Sequence, residues 1–267
     1  VFSFEAMKFI TSSRQMQCEA LRLKRSGKKI AFVPTMGALH AGHLSLINLA
    51  RKRADVVILS IYVNPAQFGP REDFKRYPRP FAQDYDLAKT AGATYLFAPK
   101  NLYAADASTT VQEKQVAVSR CGELRLGHFD GVATVVTILF NVVQPDIAVF
   151  GQKDAQQCDV IERIVRDLHL PVKILRGPIL RDAKGLALSS RNQYLSGEEY
   201  ENALSLPQAL KEAAKSLSPQ QAEKTARHLL SKNPQLCVQY VEAVGGRLCA
   251  AVMVGKTRLI DNVPLKR

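Results

Sequence analysis

The sequence has no Cys-x-x-Cys pair, and its five cysteines (Cys18, Cys121, Cys158, Cys237 and Cys249) are odd in number and far apart. That pattern argues against a disulfide framework or a structural zinc site and fits small side chains in a reducing compartment. No apolar run approaches the roughly eighteen residues of a membrane span. The N-terminus lacks a charged-then-apolar leader pattern, so a cytoplasmic chain without a membrane partner is expected. Acidic residues are scarce beside basic ones, 24 against 37, which leaves a formal charge of +13. Such a balance points to anionic partners: nucleotides, small carboxylates, nucleic acid or an acidic surface. The basic residues are scattered apart from Arg22-Leu23-Lys24-Arg25 and Lys28-Lys29. With no arginine-rich tail and no RNA-reading motif, nucleic acid is not the expected partner.

What is present is ample core material, 46% hydrophobic residues in a chain of 267. That suffices for one large domain with a small appendage. Apolar spacing predicts a helix over Ser12–Arg25 ended by Gly27, then a buried strand Ile30–Val33. A helix Leu44–Arg53 and an unbroken apolar strand Val56–Val63 follow. Unbroken runs mark a parallel sheet covered on both faces. Further helix–strand units are expected at Phe81–Ala91 with Tyr95–Phe97, at Val132–Val143 with Ile147–Phe150, and at Gln156–Leu168 with Val172–Leu175. This alternation is the pattern of an α/β fold with a doubly wound, Rossmann-like parallel sheet over residues 1–178. Beyond Pro178 the pattern changes to helices near Glu198–Ser216 and Pro219–Ser231. Short strands follow near Val238–Val244, Ala250–Val254 and Thr257–Ile260. A smaller C-terminal α+β domain over residues 179–267, able to act as a lid, is the expectation.

Ligands of doubly wound folds sit beyond the carboxyl ends of the strands. His40, Asn64 and Gly151 all fall just after predicted strands. His40-Ala41-Gly42-His43 stands where a strand feeds a helix, and the unpaired N–H groups of a helix start attract anions. Two imidazoles there add donors that can follow charge developing on phosphorus. Val63-Asn64-Pro65-Ala66-Gln67-Phe68-Gly69 presents two carboxamides suited to hydroxyls and carboxylates. In Phe150-Gly151-Gln152-Lys153-Asp154-Ala155-Gln156-Gln157, the glycine permits close approach of a ligand and Lys153 offers a point charge for phosphate. Gln157 lies one turn beyond Lys153. Leu188-Ser189-Ser190-Arg191-Asn192 is a compact donor cluster fit for phosphate oxygens.

These segments occur in one order with Tyr77-Pro78-Arg79, Gly127-His128-Phe129-Asp130-Gly131-Val132, Ser189-Ser190-Arg191-Asn192-Gln193-Tyr194-Leu195 and Thr257-Arg258-Leu259-Ile260-Asp261-Asn262. Together they resemble the pantothenate synthetase family of the HIGH-type nucleotidyltransferases over nearly the whole chain. The resemblance implies a ligase that forms an amide bond between pantoate and β-alanine. It would use ATP, pass through a pantoyl adenylate, and release AMP and pyrophosphate. It implies that Met36, Gly37, Ala38, Leu39, His40, Ala41, Gly42 and His43 line the ATP site. Gly151, Gln152, Lys153, Asp154, Leu180, Leu188, Ser189, Ser190 and Arg191 would contact the nucleotide as well. His43, His40, Lys153 and Arg191 would act in catalysis, His43 at the position usually assigned as proton donor. Gln67, Gln157, Asn64 and Arg125 would hold pantoate and β-alanine. Asp84 matches an acidic position tied to Mg²⁺ and the ATP phosphates, and a homodimer is implied.

Leu188 stands where the family commonly has Met, a volume-conserving change. Leu126 replaces a common proline beside Gly127. The alternative within the superfamily is another adenylate-forming ligase. The small C-terminal region leaves little room for a tRNA-reading module, and Gln67 with Gln157 favours pantoate.

Overall fold

The computed structural model describes residues 7–70 and 72–265. They divide into two compact units, one of residues up to Gly151 together with Gln156–Gly177, the other of Gln152–Ala155 and Pro178 onward.

The first unit is built on six parallel strands: β1 (Lys8–Ile10), β2 (Ile30–Thr35), β3 (Val56–Ile61), β4 (Tyr95–Phe97), β5 (Ile147–Gly151) and β6 (Lys173–Gly177). Their order is β1-β4-β3-β2-β5-β6, and every pairing is parallel. Residues 56–60 of β3 are buried without interruption, as its unbroken apolar run requires. Strand order reverses between β2 and β5, so the switch point of this doubly wound sheet lies beyond their carboxyl ends. The chain segments that leave there are Met36–His40 and Gln152–Asp154.

Helices cover the sheet: α1 (Ser13–Arg25), α2 (Ala41–Arg51), α3 (Phe81–Ala91), α4 (Cys121–Leu124), α5 (His128–Val143) and α6 (Ala155–Asp167). α1 starts at the Ser12 cap, whose hydroxyl accepts from Gln15 N–H at 3.3 Å. It buries Met16, Ala20 and Leu23, one stripe along the helix. β1 was not expected; three residues are too few to show a period, and pairing with β4 alone defines it. α5 begins one turn earlier than its apolar run suggests. Gly131, a poor helix residue, lies in that turn because its neighbours leave no room for more.

The second unit contains α7 (Gly197–Ala203), α8 (Ser205–Ala213) and α9 (Pro219–Ser231). An antiparallel sheet β7 (Leu236–Val244), β8 (Arg247–Val254) and β9 (Thr257–Pro264) completes it. The single helix expected over Glu198–Ser216 is two. Pro207 cannot donate to the Ala203 carbonyl and its ring would crowd it, so the break falls one turn upstream of the proline. Ala222, Ala226 and Leu230 of α9 pack with Leu206, Leu210, Leu248 and Val252 in this unit's core.

The Gln152–Ala155 turn, expected inside the first domain, groups with the second unit. The Asn262 amide on β9 explains this, since it donates to the carbonyls of Gln152 and Lys153 at 3.0 Å each. No described helix is long and apolar enough to cross a membrane.

Candidate active site

In the first unit the site grows from the end of β2. Thr35 Oγ1 donates to Ser60 O at 2.7 Å and accepts from Gly37 N–H at 3.2 Å, turning the chain out of the sheet. Gly37 has φ +84° and faces Asp84; a Cβ there would stand 2.8 Å from Asp84 Oδ2 and 3.0 Å from Ile61 Cγ2. Only glycine fits both the backbone and the space. Ala38 follows with φ +51°.

Asp84, on α3 and 1% exposed, accepts from Ala38 N–H at 2.8 Å and from Leu39 N–H at 2.7 Å, one oxygen to each. Burial raises its pKa above the ordinary carboxylate value, against the pull of those two amides. The sequence expectation for Asp84 was magnesium. Each of its two oxygens accepts one amide of the loop that leads to His40, which leaves further lone pairs on both. Among the described residues no three His, Cys, Asp or Glu side chains are grouped as a metal site.

His40 caps α2: its Nδ1 accepts from Gly42 N–H at 3.1 Å, while His43 Nδ1 accepts from His40 N–H at 3.3 Å. The ring centroids are 4.1 Å apart. A backbone N–H can only donate, so each Nδ1 must be an acceptor. Each neutral ring therefore carries its proton on Nε2. The helix start thus joins its own dipole with two oriented imidazole N–H groups.

Beyond β3, Asn64 caps a short 3₁₀ turn, Pro65–Gln67. Asn64 is 1% exposed and fully engaged. Its Nδ2 donates to Gly131 O at 3.0 Å and Gln67 Oε1 at 3.1 Å, and its Oδ1 accepts from Ala66 N–H and Tyr103 O–H. Gln67 Nε2 donates to Met36 Sδ at 3.3 Å, which brings Gln67 beside the loop from β2. Asn64, expected to touch substrate, is joined to Gln67 by the bond from its Nδ2.

Arg125 is likewise committed. It pairs with both oxygens of Glu72, donates to His128 Nε2 at 2.9 Å, and approaches Gln67 O at 3.4 Å. Since arginine only donates, His128 Nε2 must accept, and Nδ1–H donates to Gln67 O at 2.8 Å. Burial pulls the Glu72 carboxyl up, but the bonds and charge of Arg125, with His128 and Gly69 N–H, bring it below its ordinary value. Arg125, expected at the substrate, is placed beside the Gln67 turn by these bonds. His128 and Tyr103 were missed as supports. The Gly-His-Phe-Asp-Gly segment was a signal for the first; nothing in the sequence marked the second. Gln157 is half-buried in the first turn of α6.

In the second unit, Lys153 Nζ lies 3.5 Å from Asp154 Oδ2 on the 3₁₀ turn held by Asn262. Leu188 N–H donates to Leu180 O at 2.9 Å, bringing those two positions together. Ser189 caps the turn Ser190–Tyr194, its Oγ accepting from Arg191 N–H at 3.3 Å. Two buried amide atoms of this unit, Gln152 Nε2 and Asn192 Oδ1, have no hydrogen-bond partner among the described residues. They are one donor and one acceptor within the expected nucleotide-binding stretches, as a ligand bearing both would require.

Comparison with known proteins identifies the family. The pantoate–β-alanine ligase family model matches residues 8–264. The chain is 45% identical to a pantothenate synthetase of Sulfurihydrogenibium sp. (strain YO3AOP1), covering 96% of this chain and 99% of that one. It is 46% identical to that of Sphingopyxis alaskensis, covering 97% and 100%. Among solved structures, pantothenate synthetase from Thermus thermophilus superposes with a TM-score of 0.92 at 38% identity, covering 98% of this chain and 100% of that one. Pantoate–β-alanine ligase from Francisella tularensis, solved with β,γ-ATP and β-alanine, gives 0.86 at 34% identity, covering 97% and 98%. The chain belongs to the pantoate–β-alanine ligase family.

Proposed function

We infer that this protein condenses pantoate with β-alanine at the expense of ATP, releasing AMP and pyrophosphate. One observation within the first unit carries the reading. The Gln67 amide rests against Met36, on the loop that runs into the His40–His43 helix start. A donor for a small hydroxy acid thus adjoins a ready anion site.

Pantoate's carboxylate is ionised at neutral pH and needs no base. One of its oxygens attacks the α-phosphorus and the bond to pyrophosphate breaks. The β-alanine amine then attacks the acyl carbon, loses a proton, and AMP leaves. The enzyme's task is to bring anions together and to stabilise charge on the departing groups. His40 and His43 meet the phosphates through Nε2–H, with His43 a hydrogen-bond donor to the charge on the leaving group. Lys153 and Arg191 supply positive charge to the same phosphates. Leu180, Leu188, Ser189 and Ser190 bind the nucleotide, and Gln67 with Gln157 holds pantoate. Mg²⁺ would screen the charge of the triphosphate, with Asp84 the acidic residue expected to hold it. The enzyme works as a cytoplasmic homodimer.

Exchange of labelled pyrophosphate into ATP tests the reading. Pantoate should stimulate exchange and β-alanine should then yield pantothenate. A folded protein whose exchange responds to amino acids and not to pantoate would belong to another branch of adenylate-forming ligases.

A further inference from the structure

We propose that Tyr103 is a positioning residue that fixes Gln67 as a hydrogen-bond donor toward substrate, acting through Asn64. The proposal rests on Gln67 holding pantoate, and it assigns a polarity to that contact.

Two backbone groups beside Asn64 have a fixed polarity. Gly131 O can only accept and Ala66 N–H can only donate. They stand 3.0 and 3.3 Å from the two ends of the Asn64 amide. Asn64 Nδ2 therefore faces Gly131 and Oδ1 faces Ala66; the Ala66 bond is long, so Oδ1 needs a second donor to hold it in place. Oδ1 is acceptor-only, so the Tyr103 hydroxyl must donate to it, and at 2.8 Å this is the shortest bond Asn64 makes. Nδ2 is donor-only, so the Gln67 atom 3.1 Å away must be the carbonyl oxygen Oε1. Gln67 is left presenting its NH₂. Its partner among the described residues is Met36 Sδ at 3.3 Å, a weak acceptor that a substrate oxygen readily outcompetes.

The turn itself is pinned by close packing. A Cβ on Gly131 would collide with Ala66 O and lie 2.6 Å from Gln67 N, so α5 presses directly on this backbone. Tyr103 is half-buried on the loop after β4 and closes the relay from the other side. The fixed donor favours a substrate atom with a lone pair, a carboxylate or hydroxyl oxygen. It penalises an analogue that offers N–H at the same point.

Tyr103→Phe removes one hydroxyl and little volume. It should raise the KM for pantoate ~10-fold with the KM for ATP unchanged. In a Gln67→Ala background the same substitution should have no further effect on pantoate. Asn64→Asp, which turns the donor facing Gln67 into an acceptor, should give the same split by a larger factor. Thermal unfolding checks that each variant folds. An unchanged pantoate KM in Tyr103→Phe, an equal rise in the KM for ATP, or a full effect persisting without Gln67 would overturn the proposal. Wild-type protein inert toward pantoate would instead overturn the functional reading beneath it.

Discussion

The two units hold their chemistry-bearing residues by different means. In the first, buried polar side chains act directly on the atoms that matter. Asp84 grips the amides before His40, the cap bonds set the proton on each imidazole, and Asn64 sets which end of Gln67 is presented. In the second, Asn262 grips only the carbonyls of Gln152 and Lys153. The turn is fixed, while the lysine keeps its stem and three rotatable donors. Groups that must donate in one direction are locked at the atom. A group that acts as a point charge needs only its root held.

The largest test of this contrast is His43→Ala. Removing an oriented donor should lower pantoate-dependent pyrophosphate exchange by about 10²–10³-fold. Lys153→Ala should cost less, about 10²-fold, and fall on adenylation far more than on pantoate binding. Equal losses in both would make Lys153 a ground-state binder and erase the distinction. Asp84→Asn comes next. One of two amide-facing oxygens becomes an NH₂ directed at an N–H, which should lower unfolding free energy by about 1–3 kcal/mol in denaturant titration. No loss would mean that the loop before His40 holds itself.

The smallest effect lies far from the site, at Glu19. The Arg22 bond, the largest cause, outweighs burial and with Tyr95 and Lys8 lowers its pKa to about 2. A carboxyl depressed on folding stabilises the fold above the ordinary glutamate range, and this is lost as pH falls toward about 2. Solvent screening of the exposed Arg22 keeps the gain small. Glu19→Gln should therefore flatten the acid limb of the unfolding midpoint and leave neutral activity unchanged.

Much of this was legible in the sequence. Phe81–Ala91 and Pro219–Ser231 follow from apolar period, Tyr95–Phe97 from its place after a helix, and the sheet class from the unbroken runs of β2 and β3. The positions of His40, Gln67 and Lys153 after strands were visible for the same reason. The bonds of Asn64, Arg125 and Asp84 were not, because a polar side chain reads alike in sequence whatever it meets. Only the partners distinguish them: Gly131 O, Glu72 and the amides of Ala38 and Leu39 are distant in sequence. The broken helix at Leu204 was readable from Pro207, whose missing donor acts one turn upstream.

The cap of α2 has a consequence for acid. An imidazolium carries protons on both nitrogens and accepts nothing, so His40 cannot keep Gly42 N–H, nor His43 keep the His40 N–H, once charged. Protonating these rings does more than add positive charge beside phosphate. It would also release the two cap bonds at the first turn of the helix that aims them, so the setting of the rings and their charge would change together.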